Sequence, residues 1–212
     1  MIKQNFCDTL IEEFDRGLRT LTKTSRTTPR DNPANDIPEA DLSEKDMQLS
    51  GRLMRVNHAG EIAAQGLYHG QALIARDDIT LKQMRESAKE EEDHLAWCEQ
   101  RLNELHTPRS MITPFWYIGS YAIGATAGLF GDKWSLGFVA ETENQVEKHL
   151  QSHLDKLPAQ DEKSKSIIEL MKQDERKHGD AAKKLGGVDL PKPVQKTMQA
   201  VSKIMTTGAY WV

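Results

Sequence analysis

Glu91 and His94 stand three residues apart, and Glu175 and His178 repeat that spacing. On a helix, residues three apart share a face, so each pair aims a carboxylate and an imidazole at one point. A lone Glu-x-x-His arises often by chance and is usually a surface pair. The neighbours give these two more weight. Leu81, Met84, Ala88, Glu91, Leu95, Cys98, Leu102 and Leu105 follow alternating steps of three and four. Ile168, Met171, Glu175, His178, Ala182 and Leu185 do the same, as do Leu136, Val139, Glu143, Val146, Leu150, Leu154 and Leu157. Such rows are the seams of a helical bundle, and each carries a carboxylate where an apolar side chain belongs. An ionised carboxylate in a bundle core is costly unless it is paired or bound to metal. With Glu61, the candidate metal ligands are Glu61, Glu91, His94, Glu143, Glu175 and His178. Oxygen-rich donors of this kind suit iron or manganese, whereas zinc prefers more imidazole or thiolate. Two such ions can reduce dioxygen beside a bound substrate.

Four long helices must hold these groups. One runs from a cap at Ser43 to about residue 75, and a second from about 79 to 105, before Pro108. A third runs from about 133 to 157, stopped by Pro158, and a fourth from about 161 to 185, closed by Gly186-Gly187. A short tail helix is expected at about 193–206. Glu61 and Glu91 are 30 residues apart with their midpoint in the Arg76-Asp77-Asp78 turn; Glu143 and Glu175 are 32 apart with theirs in Pro158-Ala159-Gln160. In antiparallel hairpins, residues equidistant from a turn lie at one height, here roughly 20–25 Å from it at ~1.5 Å per residue. All four carboxylates can therefore share one layer. The expected fold is all-α, a ferritin-like antiparallel four-helix bundle whose ligand set is two Glu-x-x-His elements plus one Glu from each remaining helix. Glu141 and Glu147 fall off the third seam, and Glu90, Glu92 and Asp93 read as solvated face. His58 reads as a packing or hydrogen-bonding neighbour, His149 and His153 as hydrogen-bonding groups near the site, and Cys98 as core. His69 and His106 read as surface.

The 212 residues suit one domain with appendages, divided here into an N-terminal helix and linker (1–42) and the bundle (43–212). A net charge of −4 gives no basic signature, so nucleic acid is not the expected partner. Two cysteines, Cys7 and Cys98, cannot build a disulfide framework and fit a reducing compartment. Asp8, Glu12, Glu13 and Asp15 interrupt any signal-peptide core. Ile2, Phe6, Leu10, Phe14 and Leu18 instead make a helical stripe that either docks on the bundle or rests on a membrane. Residues 110–131 carry no charge. Their 22 residues reach the length of a membrane span, but a span here would split the metal site across a bilayer. The stretch is read as part of a crossover, 106–132, with an exposed apolar patch. It would dip into one leaflet or line a channel for an apolar tail, with Trp116, Tyr117 and Phe130 at the lipid and Tyr210 and Trp211 as further interfacial aromatics. The alternative is a crossover that merely packs on the bundle.

Four stretches resemble the demethoxyubiquinol hydroxylase family, di-iron enzymes of ubiquinone biosynthesis. They are Met54-Arg55-Val56-Asn57-His58-Ala59-Gly60-Glu61, Glu91-Glu92-Asp93-His94, Glu141-Thr142-Glu143-Asn144-Gln145-Val146-Glu147-Lys148-His149 and Asp174-Glu175-Arg176-Lys177-His178. The similarity runs from about Leu49 to the C-terminus and matches the family's compact bacterial form. It implies a monooxygenase that hydroxylates the ring of a polyprenylated methoxy-benzoquinol, using dioxygen, two reducing equivalents and two iron ions per chain. It further implies that Glu91 and Glu175 bridge the irons, with Glu61 and His94 completing one and Glu143 and His178 the other. The implied setting is peripheral, on the cytoplasmic face of a bacterial cell membrane, alongside other ubiquinone-pathway proteins or further copies of the chain. Two other readings share the ligand set: a ferritin- or rubrerythrin-like iron-handling protein, and a non-catalytic lipid-binding protein with a structural metal.

Overall fold

The computed structural model describes residues 6–22 and 30–212, and every regular element in them is a helix. The class is all-α, as expected. Helix α1 spans Phe6–Thr22, α2 Glu44–Ile74, α3 Asp78–Glu104, α4 Thr113–Leu129, α5 Asp132–Leu154, α6 Glu162–Lys184 and α7 Lys192–Trp211. Helices α2, α3 and α6 begin where short polar side chains satisfy one of the first free backbone N–H groups, whereas α5 starts at Gly131 with no side-chain cap. Ser43 accepts from the Asp46 amide, Asp77 from that of Thr80 and Asp161 from that of Ser164. Gly131 and Gly186, both at φ +99°, supply the left-handed conformation that ends α4 and follows α6.

Helices α2 and α3 form one hairpin and α5 and α6 the other. Two apolar clusters fill the space between them. One gathers Met54, Trp97, Cys98, Leu102, Leu150 and Met171; the other gathers Tyr68, Ala88, Val139, Ala140 and Ala182. In each helix the candidate ligands fall between members of the two clusters: Glu61 between Met54 and Tyr68, Glu91 and His94 between Ala88 and Trp97. Glu143 lies between Ala140 and Leu150, and Glu175 and His178 between Met171 and Ala182. The polar groups thus occupy one layer with apolar packing above and below. Arg101, 1% exposed, fastens the N-terminal end of α6 to α3 through Asp161 Oδ1 at 2.9 Å and Ser164 Oγ at 2.9 Å.

Three expectations need correction. The apolar crossover holds a regular helix, α4, and its glycines are contact points with α2. A Cβ on Gly70 would meet Tyr121 O at 2.1 Å, and one on Gly124 would meet Leu67 O at 2.2 Å. Tyr117, read as a lipid contact, is 6% exposed, whereas its neighbours Phe115 and Ile118 are 74% and 64% exposed. The second correction concerns α1, which docks with a face other than its apolar stripe. Gly17 sits against the Tyr117 ring and Leu21 packs beside Ile62, Leu95 and Tyr117, while Phe14 and Leu18 face outward. Ile2 and the side chains of Phe6, Cys7 and Leu10 lie outside the described residues. Third, α7 begins at Lys192 and is longer than the expected tail helix. Arg55 ties its end down by donating to the carbonyls of Ala209 at 2.9 Å and Tyr210 at 2.5 Å. No described helix is long and apolar enough to cross a membrane.

Candidate metal centre

All six sequence-predicted ligands are buried in the central layer. His94 is a hub, its Nδ1 lying 2.8 Å from Glu91 Oε2, 3.4 Å from Glu175 Oε1 and 3.6 Å from Glu61 Oε2. His178 Nδ1 lies 3.3 Å from Glu91 Oε1 and 3.6 Å from Glu175 Oε2. Glu143 receives a short hydrogen bond from the Tyr68 hydroxyl. Two quartets result, Glu61-Glu91-His94-Glu175 and Glu91-Glu143-Glu175-His178, each with ligand atoms within 4.8 Å of one another. Both contain Glu91 and Glu175. Clusters of this kind could hold a metal ion.

The electrostatics show what the layer lacks. Burial pushes the Glu61 and Glu143 carboxyls well above the usual range, and neighbouring carboxylates push them further. Burial also acts on Glu91 and Glu175, but the two imidazoles outweigh it and hold both below their ordinary values. The imidazoles are driven the other way, His94 and His178 both rising against burial because carboxylates surround them. Four carboxylates and two imidazoles within a few ångströms cannot all satisfy one another. Glu61 Oε2, Glu91 Oε1 and His178 Nδ1 are buried and accept or donate no hydrogen bond, an expensive state for interior polar atoms. A divalent cation in each quartet fits this donor set, because it would take those lone pairs and offset the negative charge.

Each imidazole also has a carboxylate on its far nitrogen. His94 Nε2 lies 3.3 Å from Asp174 Oδ2, and His178 Nε2 lies 2.8 Å from Glu90 Oε2. A carboxylate accepting from Nε2–H leaves the Nδ1 lone pair directed into the layer. Asp174 is itself anchored, by Arg30 Nη2 at 2.7 Å and Lys177 Nζ at 2.8 Å. Hydrogen bonds from His94, Lys177 and Arg30 overcome its burial and hold its carboxyl well below the ordinary value.

A small cleft reaches the layer from one side. Its walls include Val56, Gly60, Glu61, Glu143, His149 and Glu175, and α7 contributes Ser202, Met205 and Thr206. Its volume is about 50 Å³. No residue of the apolar 106–132 stretch lines this cleft.

Residues 48–209 match the family described as Ubiquinone biosynthesis protein COQ7. A relative in Nitrosococcus oceani, named 3-demethoxyubiquinol 3-hydroxylase, is 55% identical over 205 residues, 97% of this chain and 96% of its own. Relatives of the same name in Ralstonia pickettii and Acinetobacter baumannii are 53% and 52% identical, covering 96% and 97% of this chain and 98% and 97% of theirs. The chain belongs to this family. The matched span takes in α2 beyond its first turn, α3 through α6 and most of α7, and therefore both quartets; α1 lies outside it.

Within the family frame, the structure also sorts the remaining polar residues. Asp93, read as solvated, is 2% exposed and faces Arg30 Nε at 3.8 Å, while Glu92 is exposed as expected. Glu90 is exposed too, yet it serves His178. Asp174 was missed, although it precedes Glu175 just as Glu90 precedes Glu91. Tyr68 was also missed; it falls seven residues after Glu61, two helical turns on the same face. His58 is buried and belongs to neither quartet. His153 Nδ1 pairs with Asn57 Oδ1 at 2.7 Å, and its ring lies 4.0 Å from that of His149. His69, expected at the surface, is half-buried with Nδ1 2.9 Å from the Tyr117 hydroxyl, whereas His106 is exposed. Cys98 is core, its Sγ 3.8 Å from Met171 Sδ.

Proposed function

We propose that the protein is a di-iron monooxygenase that hydroxylates the ring of a polyprenylated methoxy-benzoquinol, consuming dioxygen and two reducing equivalents in ubiquinone biosynthesis. The observation that carries this reading is the pair of buried donor quartets sharing Glu91 and Glu175. The substrate class follows from the relatives, which are named 3-demethoxyubiquinol 3-hydroxylases. Glu61 and His94 would complete one iron, Glu143 and His178 the other, with Glu91 and Glu175 between them. Bound there, the metal pair supplies reductive activation of dioxygen.

The chain's own residues supply position and protection. Asp174 and Glu90 hold both imidazoles with Nδ1 inward, and the Tyr68 hydroxyl fixes one oxygen of Glu143. The apolar clusters above and below keep water from the layer along the bundle axis. The cleft beneath α7 brings substrate to Glu61, Glu143 and Glu175, and Asn57 and His149 on its walls offer polar contacts to a quinol hydroxyl. Burial holds the His149 pKa down to about 4, so that imidazole is neutral near pH 7 and can accept or donate.

A prenylated substrate partitions into lipid, and the exterior suits a bilayer surface. Phe14 on α1, Phe115 on α4, Phe130 just past its end and Trp211 on α7 are between 65% and 74% exposed. The proposed setting is peripheral attachment at the cytoplasmic face of the cell membrane, with dioxygen and quinol as substrates.

Purified protein reconstituted with ferrous iron and given reductant, demethoxyquinol and air should yield product heavier by one oxygen atom in mass spectrometry. Glu175→Gln should abolish that product and lower iron content while leaving helical circular dichroism unchanged. Full turnover by the variant would remove the centre assigned here. Oxidation and retention of many irons per chain, without quinol hydroxylation, would support an iron-handling protein instead.

A further inference from the structure

A second concave site lies away from the metal layer, where α1, α2 and α3 meet. It is a cavity of about 260 Å³ whose wall carries Arg16 and Arg19 from α1, His69 from α2, and Arg85, Lys89 and Glu92 from α3. None of the six candidate metal ligands lines it. Four permanent cations against one carboxylate is an unusual balance for a chain whose net charge is −4. Arg16 is engaged by Glu13 at 2.5 Å and Glu12 at 3.8 Å, and Arg19 by Asp15 at 2.7 Å, all on α1 itself. Each guanidinium has five N–H donors, so these partners leave donors to spare. Arg85 and Lys89 form no ion pair within 4 Å among the described residues, although the charge of Arg85 reaches the Glu13 carboxylate on α1.

The bland account is a solvated cationic ridge. Three features weigh against it. The cations converge from two separate helices, α1 and α3, on one hollow rather than spreading along a single helix face. Behind them the wall is apolar, formed by Ala72, Met84 and Ala88, and such low-dielectric surroundings strengthen the field inside a cleft. His69, with Nδ1 occupied by Tyr117, has its pKa lowered to about 4, first by burial and then by the charge on Arg16. The Arg16 part of that shift opposes a further proton on the ring, and an anion in the hollow would relieve it.

We infer that this cavity binds a phosphate-bearing anion. Forked guanidinium donors from two helices and an ammonium group match a tetrahedral group with several charged oxygens better than a single carboxylate. Two sources share this chemistry: the headgroup of an anionic phospholipid, and a soluble phosphate or phosphomonoester. Helix α1, which supplies Arg16 and Arg19, also displays Ile11, Phe14 and Leu18 outward, so a lipid source would engage both features of the helix.

The test compares the full-length protein with two equally charged double variants, Arg85→Gln/Lys89→Gln at the cavity and Lys183→Gln/Lys184→Gln at the exposed end of α6. Inorganic phosphate binding is followed by phosphorus NMR titration. Lipid binding is followed by flotation with phosphatidylcholine vesicles, with and without phosphatidylglycerol. The cavity variant should lose at least about tenfold in affinity for one probe or both, as expected when charge-assisted contacts are removed. The α6 variant should match the parent. Loss confined to phosphatidylglycerol vesicles identifies a headgroup site, and loss confined to phosphate identifies a soluble ligand. Equal loss in both variants, or no loss in either, overturns the inference, provided both unfold thermally near the parent temperature.

Discussion

At the scale of residues, the centre rests on a repeated five-residue pattern, acid-Glu-x-x-His, present as Glu90-Glu91-x-x-His94 and Asp174-Glu175-x-x-His178. In each copy the Glu and His face the layer, and the leading acid reaches across to the other helix's imidazole. The inward residues were legible because they interrupt apolar seams. The crossed acids were not, because a carboxylate one position off a seam looks solvated until the neighbouring helix is in place. The exchange is unequal: Asp174 is 2% exposed and triply held, whereas the Glu90 side chain is 49% exposed. Asp174→Asn should therefore weaken ferrous iron binding by about 10- to 100-fold, the usual cost of losing such a partner, and Glu90→Gln should cost less. Competition against a chromogenic chelator measures both; parent-like affinity in Asp174→Asn would show that the contact orients nothing. Nearby, burial holds the pKa of His153 down to about 2 and that of His149 to about 4, with Lys156 adding to both. These folded values lie below the ordinary unfolded one, so on acidification the unfolded chain takes up protons first. Stability is then full above about pH 6.5 and falls below it, by about 2 kcal/mol at pH 5 for a histidine depressed as far as His153. Urea midpoints at pH 7 and pH 5 should differ less in His153→Gln than in the parent.

At the scale of elements, the four bundle helices were legible and α4 was not. The bundle helices alternate apolar and polar faces with helical period, and Ser43, Asp77 and Asp161 mark the starts of α2, α3 and α6. Residues 110–131 are apolar all round, so no periodicity separates a helix from irregular chain there. In the folded protein its glycines permit α4 to lie nearly backbone-to-backbone on α2. Gly124→Ala drives a Cβ to 2.2 Å from Leu67 O and should destabilise by about 1–3 kcal/mol, the common cost of overpacking. Gly119 has nothing within 4 Å of an added Cβ, so Gly119→Ala should instead gain roughly 0.5–1 kcal/mol of helix stability. Denaturant titration of the two variants checks the sign of each. A similar response from both would mean that α4 is not seated on α2 through Gly124. The α1 stripe shows the converse failure: its four-residue repeat identified a helix, but the repeat alone could not say whether that face meets protein or lipid.

At the scale of the whole molecule, hydrophobic burial divides unequally between inside and outside. The bundle core is closed, while α1, α4 and α7, the three helices outside the two hairpins, carry large apolar residues outward. On α4 and at its C-terminal cap these include Phe115, Ile118 and Phe130, each more than 60% exposed. With no described helix long and apolar enough to span a bilayer, the arrangement fits insertion to the depth of single side chains. Composition had marked this stretch as apolar without telling its outer face from its inner one. Replacing the buried Tyr117 would damage packing against α1, so only the outward residues test membrane contact. Burying one large apolar side chain is worth roughly 1.5–3 kcal/mol. Phe115→Ser/Ile118→Ser/Phe130→Ser should therefore reduce flotation with vesicles by well over tenfold. Soluble short-chain quinol should still be hydroxylated at the parent rate, because none of the three residues lines the cleft. Undiminished flotation of the triple variant would move the membrane contact away from α4, and loss of turnover on soluble quinol would show that α4 shapes the site as well as the surface.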